Sequence, residues 1–293
     1  MKSAVSGFGW LPDVPSVKDY APDTPSVASL VQRTSSARVL SGVTSSASGA
    51  AAAPALASQI DLRQYCSPIE DQGQLGSCTA NAAAGLVEYF ERRAFGKHID
   101  ASRLFIYKAT RNLLGWTGDT GAYLRSAMEA LVLFGAPPED YWPYEIAQFD
   151  VEPSSFLYAF AASFQATKYF RLDPNGTAPA RVLQNIKSFL AAGFPSMFGF
   201  PVYDEYMHIA EDGTVPYPSS QSHLYGGHAN AAVGYDDNLM IGGDKGALLV
   251  RNSWGTAWGA TGYAWLSYKY VTEGLAVDWW SLVDEKWVDT GKF

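Results

Sequence analysis

The apolar pattern of this chain changes period once, near residue 195, and that change limits the fold more than any other feature of the sequence. Before it, three stretches repeat apolar residues at helical spacing. Cys78 to about Phe95 sets Ala82, Leu86, Tyr89, Phe90 and Arg93 three and four positions apart, a largely apolar stripe that predicts a buried helix. Ala122 to Phe134 repeats the signal with Leu124, Met128, Leu131 and Val132, and Gly135 stops it; Ala180 to Ala192 is closed in the same way by Gly193. From Pro195 onward the runs are short, aromatic and β-branched: SMFGFPVY, HANAAVGY, ALLVRNSW and GYAWLSY, with glycine-rich turns between them. Helices that lead and strands that follow predict an α+β arrangement. A cleft between the helical half and the sheet half is a natural place for a ligand.

The first sixty residues lie outside this pattern. Pro12, Pro15, Pro22 and Pro25 predict an extended rather than helical segment, because proline fixes φ and biases its predecessor away from helix. From Ser26 to Ser58 the composition shifts to serine and alanine, with too little apolar bulk to fix a structure. The expected organisation is therefore a proline-rich segment over residues 1–27, a Ser/Ala-rich linker over 28–58, and one folded unit over 59–293.

Bulk properties remove several functional classes. Charged residues are only 17% of the chain and the net charge is -8, so no basic field exists to gather phosphates, and nucleic acid is not an expected partner. No run approaches the roughly 20 apolar residues of a membrane helix, so no membrane partner is expected. The N-terminus meets Pro12 and Asp13 before an apolar region forms and does not read as a secretory signal, which leaves the compartment open. No paired metal-ligand spacing occurs, so neither a metal nor another cofactor is expected; His208 and His223 read as exposed loop histidines. With two cysteines, Cys66 and Cys78, the fold must hold without a disulfide framework.

Taken alone, Cys78 reads as a small buried hydrophobe, the commoner case for cysteine. Its setting in DQGQLGSCTANAAAGL suggests more, because it opens the first predicted helix, where unpaired N–H groups and the helix dipole favour a thiolate. The stretch GGHANAAVGYDD then puts His228 just ahead of a strand pattern, 150 residues on. LLVRNSWGTAWG brings Asn252 after a further 24. Each of these is ordinary by itself; together they form a Cys, His, Asn set.

These elements, in this order, resemble papain-like cysteine peptidases, and the bacterial branch of that family in particular. Asp61-Leu62-Arg63 resembles the Asp-Trp-Arg near the start of mature chains of the family. Gln72 stands six positions before Cys78, where the family carries its oxyanion-hole glutamine. Asp119-Thr120-Gly121, YWPY at 141–144 and NSWGTAWG from 252 follow in family order, so the likeness covers about residues 58 to 285. Three positions depart from it. Leu75 stands where a disulfide cysteine is usual, Thr79 replaces the aromatic residue after the nucleophile, and Gly227 replaces the residue often seen before the histidine. Cys66 is then an unpaired structural thiol, with a Cys66–Cys78 bridge as the rival reading.

The resemblance implies a papain-like two-lobed fold, with a helical left lobe, a β-barrel-like right lobe and an active-site cleft between them. It implies an endopeptidase acting on protein or peptide substrates, with Cys78 as nucleophile in a resting ion pair with His228. Asn252 would orient the imidazole, Gln72 and the Cys78 N–H would hold the oxyanion, and Trp254 would shield the His228–Asn252 bond. Gly121, Gly226 and Ala229 would border the substrate pocket, with a floor from GLAVDWWSL. Residues 1–60 occupy the place of an inhibitory pro-region, so the N-terminal segment is an expected intramolecular inhibitor, against the simpler reading of a free tail. A transamidase or ligase using the same thioester, or a non-catalytic peptide-binding homologue, are the competing functions.

Overall fold

A computed structural model describes residues 7–34, 39–41, 55–166, 168–210, 212–284, 286 and 290. Its helical half comprises α2 (Cys78–Phe95), α3 (Arg103–Leu114), α4 (Leu124–Leu133) and α5 (Ser155–Ala161), preceded by α1 (Pro25–Gln32); α6 (Pro179–Ala191) packs on the sheet half. The strands are β1 (Gln59–Asp61), β2 (Lys168–Arg171), β3 (Ser196–Tyr203), β4 (Thr214–Val215), β5 (Leu224–Ile241), β6 (Asp244–Arg251), β7 (Tyr263–Ser267) and β8 (Val277–Val283). Their order is β2-β8-β3-β5-β6-β7-β4, with β1 added to β5, and all pairs are antiparallel except β4 with β7. The expected α+β class holds. The barrel-like closure does not, because the sheet path ends at β2 and β4, which do not pair with each other.

Helix α2 begins and ends where the sequence places it. Ser77 stands at the N-cap position without a side-chain capping bond, and Asn81 Nδ2 donates back to its carbonyl and hydroxyl oxygens, both at 3.0 Å. Gly96 ends it at φ +77°, a left-handed turn that glycine enters without steric cost. Between those ends the helix is buried almost all round, against α3 and α4 on one side and β3 and β5 on the other. One polar clasp crosses this seam. Arg251, at the end of β6, donates to the Ser67 and Pro68 carbonyls at 2.5 and 2.7 Å and to the Ser67 hydroxyl oxygen at 3.0 Å. Ser67 in turn donates to buried Glu88 of α2 at 2.5 Å, and Glu88 also accepts the Ala101 N–H. Gly85 of α2 faces the Arg251 side chain, and a Cβ there would come within 3.2 Å of its Nε.

Two sequence expectations need correction. Residues 25–32, placed partly in the proline-rich segment and partly in the linker, form α1, with Val27, Ala28, Leu30 and Val31 buried. Pro25 sits in its first turn, where a missing N–H costs nothing, so this proline starts a helix instead of preventing one. Leu40 is also fully buried, while residues 42–54 of the expected linker lie outside the described residues. Helix α3 escaped the periodicity reading because arginine, lysine and threonine interrupt its apolar stripe; Arg111 is nonetheless buried, paired with Asp150 at 2.7 Å.

Arg251 carries the clasp between α2 and the sheet, so Arg251→Leu leaves the buried Ser67 and Pro68 carbonyls short of donors and removes the positive charge near Glu88. The expected loss is about 3 kcal/mol of unfolding free energy, read from urea denaturation; a loss below about 0.5 kcal/mol would show that the clasp does not hold the halves together.

Candidate active site

Three elements bring the site together. Cys78 is the first residue of α2, and His228 lies on β5 opposite Phe200 of β3. Strand β6 pairs Arg251 with Ala231 of β5, so continuing that register past Arg251 brings Asn252 and Trp254 alongside His228. Cys78 and His228 are fully buried. The backbone N–H of Ala229, next in chain to His228, points at the Cys78 sulfur.

The hydrogen bonds fix the histidine tautomer. Ser253 N–H donates to Asn252 Oδ1 at 2.8 Å, which identifies that atom as oxygen, and the same Oδ1 lies 2.8 Å from His228 Nε2. His228 must therefore donate from Nε2, leaving a lone pair on Nδ1, which has no partner in the protein. Trp254 covers this pair, its ring 4.5 Å from the imidazole, and Phe200 and Tyr206 close the other sides. Gln72 is oriented in the same manner. Its Oε1 accepts the Ser253 hydroxyl at 2.6 Å, which turns Nε2 toward the cleft. Ser253 thus sets both amides, a role that its place between two assigned motif residues did not reveal. Asn230 and Tyr206, which hydrogen-bond each other beside the imidazole, were also not singled out from sequence.

The cleft is filled by the chain's own N-terminal segment. Gly9 and Trp10 N–H groups donate to the Gly227 carbonyl at 3.1 and 3.2 Å. Ala122 N–H donates to Gly9 O at 2.8 Å, and Leu11 N–H to Ala122 O at 3.2 Å. Gln72 Nε2 donates to Gly7 O at 2.9 Å, and Gly7 N–H reaches Gly73 O at 3.1 Å. The strap is therefore bonded to both halves. It passes so close that a Cβ on Gly9 would overlap the Gly76 carbonyl, and one on Gly121 would overlap the Gly9 carbonyl. Phe8 packs edge-on against Trp254 and against Gly226, and Trp10 lies over Gly199 and Gly227. Beyond the cleft, Arg125 binds Asp13 at 2.5 Å, Asp19 at 2.9 Å and the Val14 carbonyl at 2.8 Å, which anchors the strap before it enters α1.

Of the pocket residues expected from sequence, Gly121 and Gly226 meet the strap directly. Ala229 presents its backbone to Cys78, and Trp254 stacks on His228. Ala122, next in chain to Gly121, adds backbone bonds to Gly9 and Leu11 of the strap. Both cysteines are free, which excludes the Cys66–Cys78 bridge, and Cys66 is buried with its thiol 3.8 Å from the Leu62 carbonyl. Among the described residues no group of His, Cys, Asp and Glu side chains is arranged to hold a metal, and no helix is long and apolar enough to cross a membrane.

Burial governs the protonation of the pair. It pushes the Cys78 thiol up to about 12, against N–H donors from Ala229, Gly9 and Thr79 that favour the thiolate. It pushes His228 down to about 4, with the Asn252 and Asn230 amides opposing. With the strap in place burial works against the charged form of each partner, and so against the ion pair expected from sequence. For a histidine whose pKa falls on burial, the stabilising contribution is present above the ordinary 6.5 and is lost as pH drops toward about 4.

The description of the papain family of cysteine proteases matches residues 56–277. An uncharacterized peptidase C1-like protein of Acanthamoeba polyphaga mimivirus is 38% identical over 227 residues, covering 75% of this chain and 71% of that one. Cathepsin K of Gallus gallus is 30% identical over 226 residues, covering 74% of this chain and 60% of that one. Among solved structures, xylellain, a cysteine protease from Xylella fastidiosa, superposes with a TM-score of 0.73 at 29% identity over 97% of this chain and 98% of its own. Procathepsin L 3 of the Tenebrio molitor larval midgut shares the fold with a TM-score of 0.62 at 21% identity. A family match over three quarters of the chain, carried by the segments that build this cleft, makes the chain a member of the papain family of cysteine proteases, a hydrolase.

Proposed function

We propose that this chain is an endopeptidase that cleaves through a thioester on Cys78 and is held shut by its own residues 7–20. The single observation that carries the reading is the pair of oriented amides. Asn252 leaves His228 Nδ1 as a free base beside the thiol, and Gln72 aims an N–H donor at the place where an oxyanion would form. In the open enzyme water re-enters, the thiol proton passes to Nδ1, and the thiolate is stabilised by the imidazolium and the N-terminus of α2. The thiolate attacks the scissile carbonyl carbon, forming the C–S bond. Its oxygen takes the negative charge against Gln72 Nε2 and the Cys78 N–H. His228 returns the proton to the departing amine, breaking the C–N bond, and then takes one from water to hydrolyse the thioester.

The strap survives in such a site because of how it lies. The Gly9 N–H, which donates to the Gly227 carbonyl, also lies toward the Cys78 sulfur, and the Gly9 carbonyl is held by the Ala122 N–H, so the backbone beside the thiol is fixed by the cleft walls. Tethering through α1 keeps the local concentration of the strap high. Trp10 supplies much of the closure, since burying one tryptophan side chain is worth about 3 kcal/mol.

Cys78→Ala is expected to abolish hydrolysis of a fluorogenic peptide while leaving the circular dichroism spectrum unchanged; retained activity would remove the nucleophile assignment. Trp10→Ala and Gly9→Val, the latter unable to pass Gly76, are expected to raise kcat/KM by tenfold or more. They should also speed iodoacetamide alkylation of Cys78 at pH 7 to the same degree, since alkylation reads the thiolate directly. Rates equal to those of the unaltered chain in both assays would refute closure by the strap. The opened variants are further expected to give a bell-shaped pH profile, with limbs set by thiolate formation and imidazolium loss.

A further inference from the structure

The indole of Trp10 occupies a side-chain pocket whose chemistry is more specific than an apolar hole. The residue is held by a one-residue bridge to Ala122, and its ring lies so close over Gly199 that a Cβ there would overlap it. At the far edge, Trp10 Nε1–H donates to Asp278 Oδ2 at 3.2 Å. Asp278 is fully buried and fixed from every side. Its Oδ1 accepts Trp280 Nε1–H at 2.7 Å and pairs with Arg171 Nη1 at 3.1 Å, and its backbone N–H donates to Asp173 Oδ2 at 2.8 Å. Its φ of +61° lies in the left-handed region that a residue with a Cβ rarely enters, so the surrounding bonds impose this placement. One carboxylate oxygen is thus committed inside the fold and the other is presented to the pocket.

The charged groups around the pocket are paired with one another. Asp13 and Asp19 belong to the strap and leave with it. What remains are Arg125 and Arg171 against Asp173 and Asp278, with Glu129 beside Arg125 and bonded to Tyr169, so each acid near the pocket already has a cation or donor beside it. A cationic side chain would be desolvated there without an uncompensated partner. A phenyl or aliphatic side chain would fill the volume but leave Asp278 Oδ2 buried and unbonded.

We propose that, once the strap leaves, this pocket selects a substrate side chain that is flat and apolar with a neutral N–H or O–H donor at its outer edge, tryptophan above all, and that Asp278 is the residue that makes the selection. This rests on the reading of the strap as a removable occupant of a peptidase cleft. Trp10 is then a mimic of the preferred substrate side chain.

The test uses a positional-scanning fluorogenic peptide library on the Gly9→Val chain. The expected result is one position at which tryptophan exceeds phenylalanine, leucine and arginine by tenfold or more, and loss of that preference to within about twofold in Asp278→Ala. Should Asp278→Ala fold poorly, Gly199→Ala narrows the pocket instead and is expected to remove tryptophan while keeping leucine. Binding of blocked tryptophan and phenylalanine tripeptides to the Gly9→Val, Cys78→Ala double variant, by calorimetry, separates the pocket from catalysis. Preferential tryptophan binding without turnover in the Gly9→Val chain would leave the pocket standing and remove the peptidase reading. Equal binding of both peptides, no binding of either, or a library preference for arginine or leucine would overturn the pocket assignment.

Discussion

The seam between α2 and the β5–β6 pair is the contact on which the rest of the molecule depends, and Arg251 closes it. The guanidinium reaches from the sheet to the chain that leads into α2, and its partner Ser67 is shared with Glu88 on the helix itself. Charge-assisted bonds of this kind are short and directional, so they fix the seam more tightly than apolar packing alone. Buried polar networks are costly when incomplete. This one satisfies its members from both halves, and Gly85 supplies the room. Cys78 and Gln72 stand on one side of the seam and His228 and Asn252 on the other, so a loosened seam would misplace the sulfur relative to its base without touching either.

Within that frame the strap covers Cys78 and His228 and leaves both fully buried. The same thiol and imidazole that would exchange a proton in a hydrated cleft are pushed apart to about 12 and about 4 when covered. Nothing in the pair itself has to move. On the reading proposed above, one burial would both block access to Cys78 and oppose its thiolate. The strap's grip is distributed: backbone bonds at Gly7, Gly9, Trp10 and Leu11, one indole in a pocket, and a carboxylate anchor on Arg125.

Much of the site could be read along the chain because its residues sit in locally determined elements. The bounds of α2 follow from helix formers after Ser77 and a glycine at position 96, so a cysteine at an N-terminus was legible. The failures share one cause. Arg111 and Arg171 are buried because carboxylates distant in sequence, Asp150 and Asp278, meet them, and neither periodicity nor composition carries that information. Residues 25–32 read as linker since alanine and serine lower their apolar content. They fold because Val27 and Val31 find the far end of the sheet at β8, not because they prefer helix.

By itself the sequence determined the order of helices and strands, marked Cys78, Gln72, His228 and Asn252 as candidates, and set apart a proline-bearing segment able to lie across the cleft. Those are properties of local pattern and of motifs fixed in order along the chain. Only the tertiary structure decided that Ser253 orients both amides, that the Ala122 backbone bonds the strap in the cleft wall, and that Asp278 stands at the end of the Trp10 pocket. Each of these depends on groups tens or hundreds of residues apart meeting within about 3 Å, and on water being excluded where they meet.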